Sequence, residues 1–283
     1  MKTIFFSTLL TLSASAIAIP PQSPEVIYGE DNRLEAFESP DSLLREASLS
    51  VAAFMSRDHL QKSGNGYILS GRTLQDRGIC KTERFSEQPS LAKCSGFLVA
   101  PNVIITAGHC VKSTTGCDTG VWVFDYKMDS SGDKIKVPAS SVYSCKRVIR
   151  KVLDPLLRRD FAVIELDQEV SGRTPLKLRE SGKVSVGDKI AVIGYPSGLP
   201  LKIADEGEVR RLEKHYFVSN LDTYHGNSGS PVLNAASGVV EGILVRGDDD
   251  FVKSPEGCQV SKRCASTGCR GEDVSYITDL KVN

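Results

Sequence analysis

From about Ser95 onward the chain is a series of short apolar runs, each closed by glycine, proline or polar residues. Phe97-Leu98-Val99, Val103-Ile104-Ile105, Val121-Trp122-Val123-Phe124 and Phe161-Ala162-Val163-Ile164 fall in the first half. Lys189-Ile190-Ala191-Val192-Ile193, Tyr216-Phe217-Val218 and Val239-Val240-Glu241-Gly242-Ile243-Leu244-Val245 fall in the second. Runs of this length, rich in β-branched residues and bounded by turn residues, predict many short strands in an antiparallel sandwich or barrel. Trp122 and Phe124 read as core. Helical pattern is sparse: Ser42 to Ala47 predicts one or two turns, and Val274 to Val282 a short terminal helix. Gly64-Asn65-Gly66 and the polar stretch 81–90 read as loops. A break at 168–173 divides the strands into two halves, about 48–167 and 168–283, with no internal repeat between them.

The N-terminus has a different pattern. Met1-Lys2 precedes an apolar stretch from Ile4 to Leu12 and small residues ending Ala16-Ile17-Ala18. This predicts an export signal over 1–18, cleaved after Ala18, because the apolar run is too short to span a bilayer. The proline-rich segment 19–25 reads as a short pro-segment or linker. Export, to the extracellular space or a periplasm, makes disulfides the expected fate of the eight cysteines. The competing metal reading lacks any CxxC pair or zinc-like histidine spacing. The 283 residues carry 35 basic and 35 acidic side chains, so formal charge is zero. That balance argues against a nucleic-acid partner and against attachment to anionic membrane once the signal is gone.

Three segments carry candidate chemistry. Gly226-Asn227-Ser228-Gly229-Ser230-Pro231 places a serine among glycines before an apolar run. Thr106-Ala107-Gly108-His109-Cys110 ends an apolar run on a histidine, and Asp160 opens another. A serine hydroxyl needs a base to attack at neutral pH, and imidazole is suited to the task. A carboxylate on the far ring nitrogen fixes the tautomer. His109, Asp160 and Ser228 are therefore the candidate catalytic residues, with the N–H groups of Gly226 and Ser228 as the oxyanion hole. The order His, Asp, Ser is one that serine peptidases use, whereas serine lipases run Ser, Asp, His.

On these residues the chain resembles the trypsin-like (chymotrypsin-fold) serine peptidases. Cys94-Ser95-Gly96-Phe97-Leu98-Val99-Ala100-Pro101 through Thr106-Ala107-Gly108-His109-Cys110 is similar to their first-barrel signature, and 160–166 to their aspartate strand. Gly226-Asn227-Ser228-Gly229-Ser230-Pro231 and Val26-Ile27-Tyr28-Gly29-Glu30-Asp31-Asn32-Arg33 resemble the bacterial V8-like, or glutamyl-endopeptidase, branch. The resemblance implies an all-β fold of two six-stranded antiparallel β-barrels with the site in the cleft between them. It implies a secreted, cofactor-free endopeptidase, monomeric, acting on protein or peptide substrates. It implies a Cys94–Cys110 disulfide and a mature chain starting near Val26. The other six cysteines allow fifteen pairings. Cys117 with Cys145, and a bridge within 258–269, are the expected ones. A non-catalytic homologue acting as an extracellular binding protein is the alternative, although such proteins usually lack a triad member.

Two departures bear on specificity. Asn227 stands where animal trypsins carry an aspartate that pairs with a freed N-terminal amine. Asp222 matches the aspartate by which trypsins select basic side chains, yet Thr223 beside it matches a threonine that helps bind glutamate. Leu244 replaces the histidine expected in the V8-like branch. The substrate pocket is thus read as Asp222, Thr223, Leu244, Val245 and Arg246, and cleavage after basic and after acidic residues both stay open. Arg246 either binds an acidic side chain or sits in solvent. His225 contacts substrate or is a bystander, and Asp248-Asp249-Asp250 reads as a solvated loop rather than a calcium site.

Overall fold

The computed structural model describes residues 26–113, 116–117, 119–132 and 134–280. The expected signal and pro-segment (1–25) lie outside the described residues.

Two antiparallel sheets dominate. The first contains β1 (Val51–Met55), β2 (Ala92–Ala100), β3 (Val103–Thr106), β4 (Val121–Val123), β5 (Val142–Tyr143), β6 (Cys145–Asp154) and β7 (Arg159–Leu166), in the order β5-β4-β1-β2-β3-β7-β6. It curls into a half-barrel of seven strands, with no ladder closing its two edges among the described residues. The second contains β8 (Lys189–Gly194), β9 (Lys202–Leu212), β10 (Tyr216–Ser219), β11 (Pro231–Asn234), β12 (Val240–Arg246) and β13 (Glu272–Tyr276). Its order β8-β11-β12-β13-β10-β9 closes into a six-stranded barrel through a β8–β9 ladder. The architecture is chymotrypsin-like, with one half more open than the expected pair of closed barrels.

The apolar runs lack alternation because both faces of these strands are buried. Ile190 and Val192 point into the second barrel, with Phe217, Val232, Leu244 and Val274. Their neighbours Ala191 and Ile193 face outward into a shared core with Val51, Phe97, Ile105 and Phe161 from the first sheet. Period-two geometry thus divides one apolar strand between two cores. Trp122 and Phe124 fill the first half-barrel with Leu98, Ile104 and Ile164. Each large aliphatic residue so buried contributes about 1.5–3 kcal/mol.

Outside the sheets, a helix over Ser42–Ser48 is N-capped by Asp41, whose carboxylate accepts from the N–H groups of Leu43 and Leu44. The expected terminal helix is corrected. Residues 272–276 are the last barrel strand, and among the described residues of this stretch only Ile277–Asp279 turns, as a single 3-10 helix; the end of the expected helix, 281–282, lies outside the described residues. The apolar residues in 274–280 pack as strand and cap because they complete a barrel between β10 and β12.

The N-terminal segment belongs to the second barrel. Ile27–Tyr28 pairs in parallel with Arg263–Cys264, and Leu34–Glu35 pairs with Lys202–Ile203 at the edge of β9. Lys202, 2 % exposed, donates to Glu35, Gln88 and the Pro200 carbonyl. All eight cysteines are bridged: Cys80–Cys258, Cys94–Cys110, Cys117–Cys145 and Cys264–Cys269. Groups of ligand-like atoms around Cys94 and Cys80 consist largely of these disulfide sulfurs.

Candidate active site

β3 delivers Thr106 and Ala107 to a one-turn 3-10 helix, Gly108–Cys110, that carries His109. Gly108 is required there: an added Cβ would overlap the Val152 carbonyl oxygen on β6 and crowd Phe161 on β7. The adjacent β7 carries Asp160 as its second residue, 3 % exposed. Asp160 Oδ2 lies 2.8 Å from His109 Nδ1, and Oδ1 accepts the His109 backbone N–H at 3.0 Å. With the carboxylate on Nδ1, that nitrogen carries the proton and Nε2 is left to act as a base. Arg246 Nη2 stands 3.8 Å from the same Oδ2, the long range of an ion pair.

The loop carrying Ser228 is fastened to the strand and disulfide that flank His109. The Ser228 carbonyl accepts the Ser95 N–H at 2.8 Å, and the Ser95 hydroxyl donates to the Gly226 carbonyl at 2.8 Å. Thr106 Oγ1 donates to the Ser95 carbonyl at 2.6 Å, and Cys94 is bridged to Cys110. The loop carrying Ser228 and the turn carrying His109 are therefore fastened to the same residues, 94–95. Gly226 (φ 94°) and Gly229 (φ 91°) take the left-handed backbone that glycine tolerates. Among the described residues, the N–H groups of Gly226 and Ser228 donate to no protein acceptor, whereas Asn227, Gly229 and Ser230 all donate within the loop or to β12. Ser228 itself is half-buried. Ser95 was missed by sequence reading, since a buried serine in a strand carries no local signal of its partners.

The expected specificity residues are placed otherwise. Asp222 is 1 % exposed, and its oxygens accept the N–H groups of Tyr28 (2.7 Å) and Asn32 (3.0 Å). Burial pushes its carboxyl up to about 7. It serves the N-terminal segment rather than facing an incoming basic side chain, which corrects the trypsin-like pocket expectation. Thr223 is fully buried; it donates its hydroxyl to Glu272 at 2.7 Å and its N–H to the Val26 carbonyl at 3.3 Å. Glu272 also accepts from Tyr28 Oη at 3.3 Å, and burial raises its carboxyl well above the usual range. Leu244 and Val245 are core residues, 0 % and 3 % exposed, so neither side chain offers a pocket wall. Their contribution is backbone: Leu244 exchanges hydrogen bonds with Gly229 and Ser230. Arg246 is not in open solvent. It lies between Asp160 and Asp273 (3.6 Å), and Asp273 also takes Arg158 and Arg270.

His225 and Asp250, left aside as a loop histidine and a solvated acid, are paired. The exposed His225 ring bonds through Nδ1 to Asp250, which is 6 % exposed and also accepts the His225 N–H at 3.2 Å. Asp248 pairs with Lys262 at 2.7 Å. Asp248 and Asp250 thus fasten loops, while Asp249 is exposed, so the solvated-loop expectation is corrected for the two outer residues of the run.

A histidine–aspartate pair and a glycine-flanked serine loop, both fastened to one strand of two packed β-barrel halves, agree with the arrangement of a chymotrypsin-fold serine peptidase. The family model described as trypsin-like peptidase domain matches residues 94–243, more than half of the chain, and the chain belongs to that family. It is 27% identical over 153 residues to a glutamyl endopeptidase of Bacillus licheniformis, covering 52% of this chain and 47% of that protein. The chain thus spans about half the length of that curated relative. Among solved structures, a Glu endopeptidase in complex with MPD superposes with a TM-score of 0.50 at 17% identity, over 89% of this chain and 94% of the other. At that identity the likeness concerns the fold.

Proposed function

We propose that this protein is a secreted serine endopeptidase working through an acyl-enzyme. Ser228 Oγ attacks the scissile carbonyl carbon as His109 Nε2 takes its proton. Asp160 holds Nδ1–H and bears the imidazolium charge that results. The carbonyl oxygen becomes an oxyanion and is met by the N–H groups of Gly226 and Ser228, a contact worth about 3 kcal/mol per donor. His109 then returns the proton to the departing amine, and water repeats the sequence to release the acyl group. The observation that carries this reading is the Asp160–His109 bond of 2.8 Å, with the Ser228 loop fastened to the same strand end through Ser95.

Export is supported by the signal-like pattern of residues 1–18 and by four disulfides, which persist in oxidising compartments. No helix among the described residues is long and apolar enough to cross a membrane. A mature start near Val26 agrees with the complete burial of Val26 and its hydrogen bond to Thr223, a docking that bypasses Asn227. The test is labelling with a fluorophosphonate. The processed protein is expected to take one label, on Ser228, and Ser228→Ala to take none while keeping its melting temperature. A label elsewhere, or no label on processed protein, overturns the assignment.

A further inference from the structure

Arg246, the last residue of β12, is held in place with few of its donors satisfied. Its side chain is 20 % exposed. Nη2 lies 3.8 Å from Asp160 Oδ2 and Nη1 lies 3.6 Å from Asp273 Oδ2, both beyond hydrogen-bond length. Its one side-chain hydrogen bond among the described residues is a 3.5 Å contact from Nη2 to the Arg158 carbonyl. The reason is crowding at Asp273, a buried carboxylate. Its Oδ2 already accepts Arg270 Nη2 at 2.5 Å and Arg158 Nη1 at 3.3 Å. Two donors fill the lone pairs of one oxygen, so Arg246 is attracted there without being bonded. Arg158 stands in the exposed turn between β6 and β7 and is itself loosely held, its other side-chain contact being Tyr216 Oη at 3.4 Å. Arg270 also donates to the Gly247 carbonyl at 2.8 Å. The acids that adjoin the network are engaged: Asp160 with His109, Asp154 with the N–H groups of Leu156 and Leu157, and Asp248 with Lys262. Arg246 and Arg158 therefore present guanidinium donors that no protein acceptor takes at normal length.

The strand that Arg246 ends says which part of a substrate comes near. Leu244 exchanges hydrogen bonds with Gly229 and Ser230, and the ladder between β11 and β12 begins at Ile243. Past Leu244 no strand among the described residues pairs with that side of β12, so the edge at 245–247 is open to an extended peptide. Side chains alternate along such a peptide, so the residue at the cleaved bond and the one before it point opposite ways. We propose that Arg246 and Arg158 form a subsite for the residue that precedes the one at the cleaved bond, and that this subsite selects an acidic side chain. The carboxylate takes the Nη donors of both arginines, a match of planar fork to planar acceptor that an amide or a lysine cannot reproduce. A basic side chain is repelled by the same guanidiniums. The proposal rests on the serine-peptidase reading of Ser228, His109 and Asp160 and adds a preference one residue away from the bond.

The test uses full-length processed protein and four peptides. Two carry Arg and two carry Glu at the cleaved bond, and within each pair the preceding residue is Glu or Gln. For whichever pair is cleaved, kcat/KM should favour the preceding Glu about fivefold at low salt, the upper range of a partly exposed charge pair. The preference should shrink in about 0.5 M salt, where screening weakens exposed pairs. Arg246→Gln should bring the Glu-to-Gln ratio close to one. Arg158→Glu should reverse the ratio, and because Arg158 stands on an exposed turn this variant keeps the test available where Arg246→Gln does not fold. The Gln peptide is the internal reference, so a general loss of turnover does not imitate the effect. The same peptides are titrated onto Ser228→Ala, so the preference is also read as binding without turnover. Equal rates and equal binding for Glu and Gln overturn the subsite, as does a ratio that survives Arg158→Glu. Absence of cleavage of all four, with no fluorophosphonate label, counts against the catalytic reading instead, while the binding titration still decides the subsite.

Discussion

Replacing Asp160 with asparagine changes no volume and leaves the His109 turn in place, yet it should nearly abolish turnover. Asp160 receives two donors from one residue: the His109 backbone N–H at 3.0 Å and Nδ1–H at 2.8 Å. A carboxylate accepts both. An asparagine has one oxygen and one NH2, and the backbone N–H can only donate, so the amide oxygen must turn toward it. The NH2 group then faces Nδ1, which can pair with it only as an acceptor. The imidazole proton moves to Nε2, where the base should be, and Ser228 loses its proton acceptor. In serine triads this tautomer error costs about 10⁴ in kcat, or about 5 kcal/mol of transition-state stabilisation. Steady-state kcat and KM on a peptide substrate measure it, with KM expected to change little because no substrate contact is lost. The melting temperature should stay near that of the unchanged protein, since both hydrogen bonds are re-formed. A loss under about tenfold would refute the reasoning and remove Asp160 from the mechanism.

Two further substitutions probe the frame. In Gly229→Ala, the new Cβ would overlap the Ser95 carbonyl and Thr106 hydroxyl and stand 2.9 Å from the Ala107 nitrogen, at a φ of 91°. Strain and overlap together should cost about 2 kcal/mol or more of stability and abolish labelling of Ser228, read by thermal unfolding and mass spectrometry. A stable, fully labelled Gly229→Ala protein contradicts the close packing of the two loops. For Asp222, the unfolded chain releases its proton near pH 3.8 and the folded chain near pH 7. Folded protein holds the extra proton between those values, so this group's effect on stability worsens as pH rises from about 4 to about 7. Relative to Asp222→Asn, the unchanged protein should lose up to about 4 kcal/mol across that interval. Denaturant titrations of both at pH 4.5 and pH 7.5 measure the difference, and a constant gap would show that Asp222 is not held neutral by its burial.

The strands were legible because the apolar runs are short and the turns between them carry glycine and proline. Legible too were the histidine, aspartate and serine segments, since each pairs a functional side chain with a backbone signal, such as Gly226 and Gly229 around Ser228. The C-terminal stretch misled because 274–280 is apolar at spacings a helix also accepts. Only the gap between β10 and β12 makes it a strand. Asp222 misled for a related reason. Its position in the chain matches a pocket residue, but the side chain turns to the Tyr28 and Asn32 N–H groups, from a segment about 190 residues away.

The amino-acid sequence determined, by itself, the class of fold, the three side chains proposed to react and the segment bearing each, because these follow from local pattern and residue chemistry. Tertiary structure decided the rest. It set which carboxylate serves His109, how Ser95 joins the two loops, which of the fifteen remaining cysteine pairings forms, and where Asp222, Arg246 and Asp250 spend their charge. These are contacts between residues far apart in the chain. Each is selected by competition among all available donors and cations at once, and no stretch of sequence encodes the outcome of that competition.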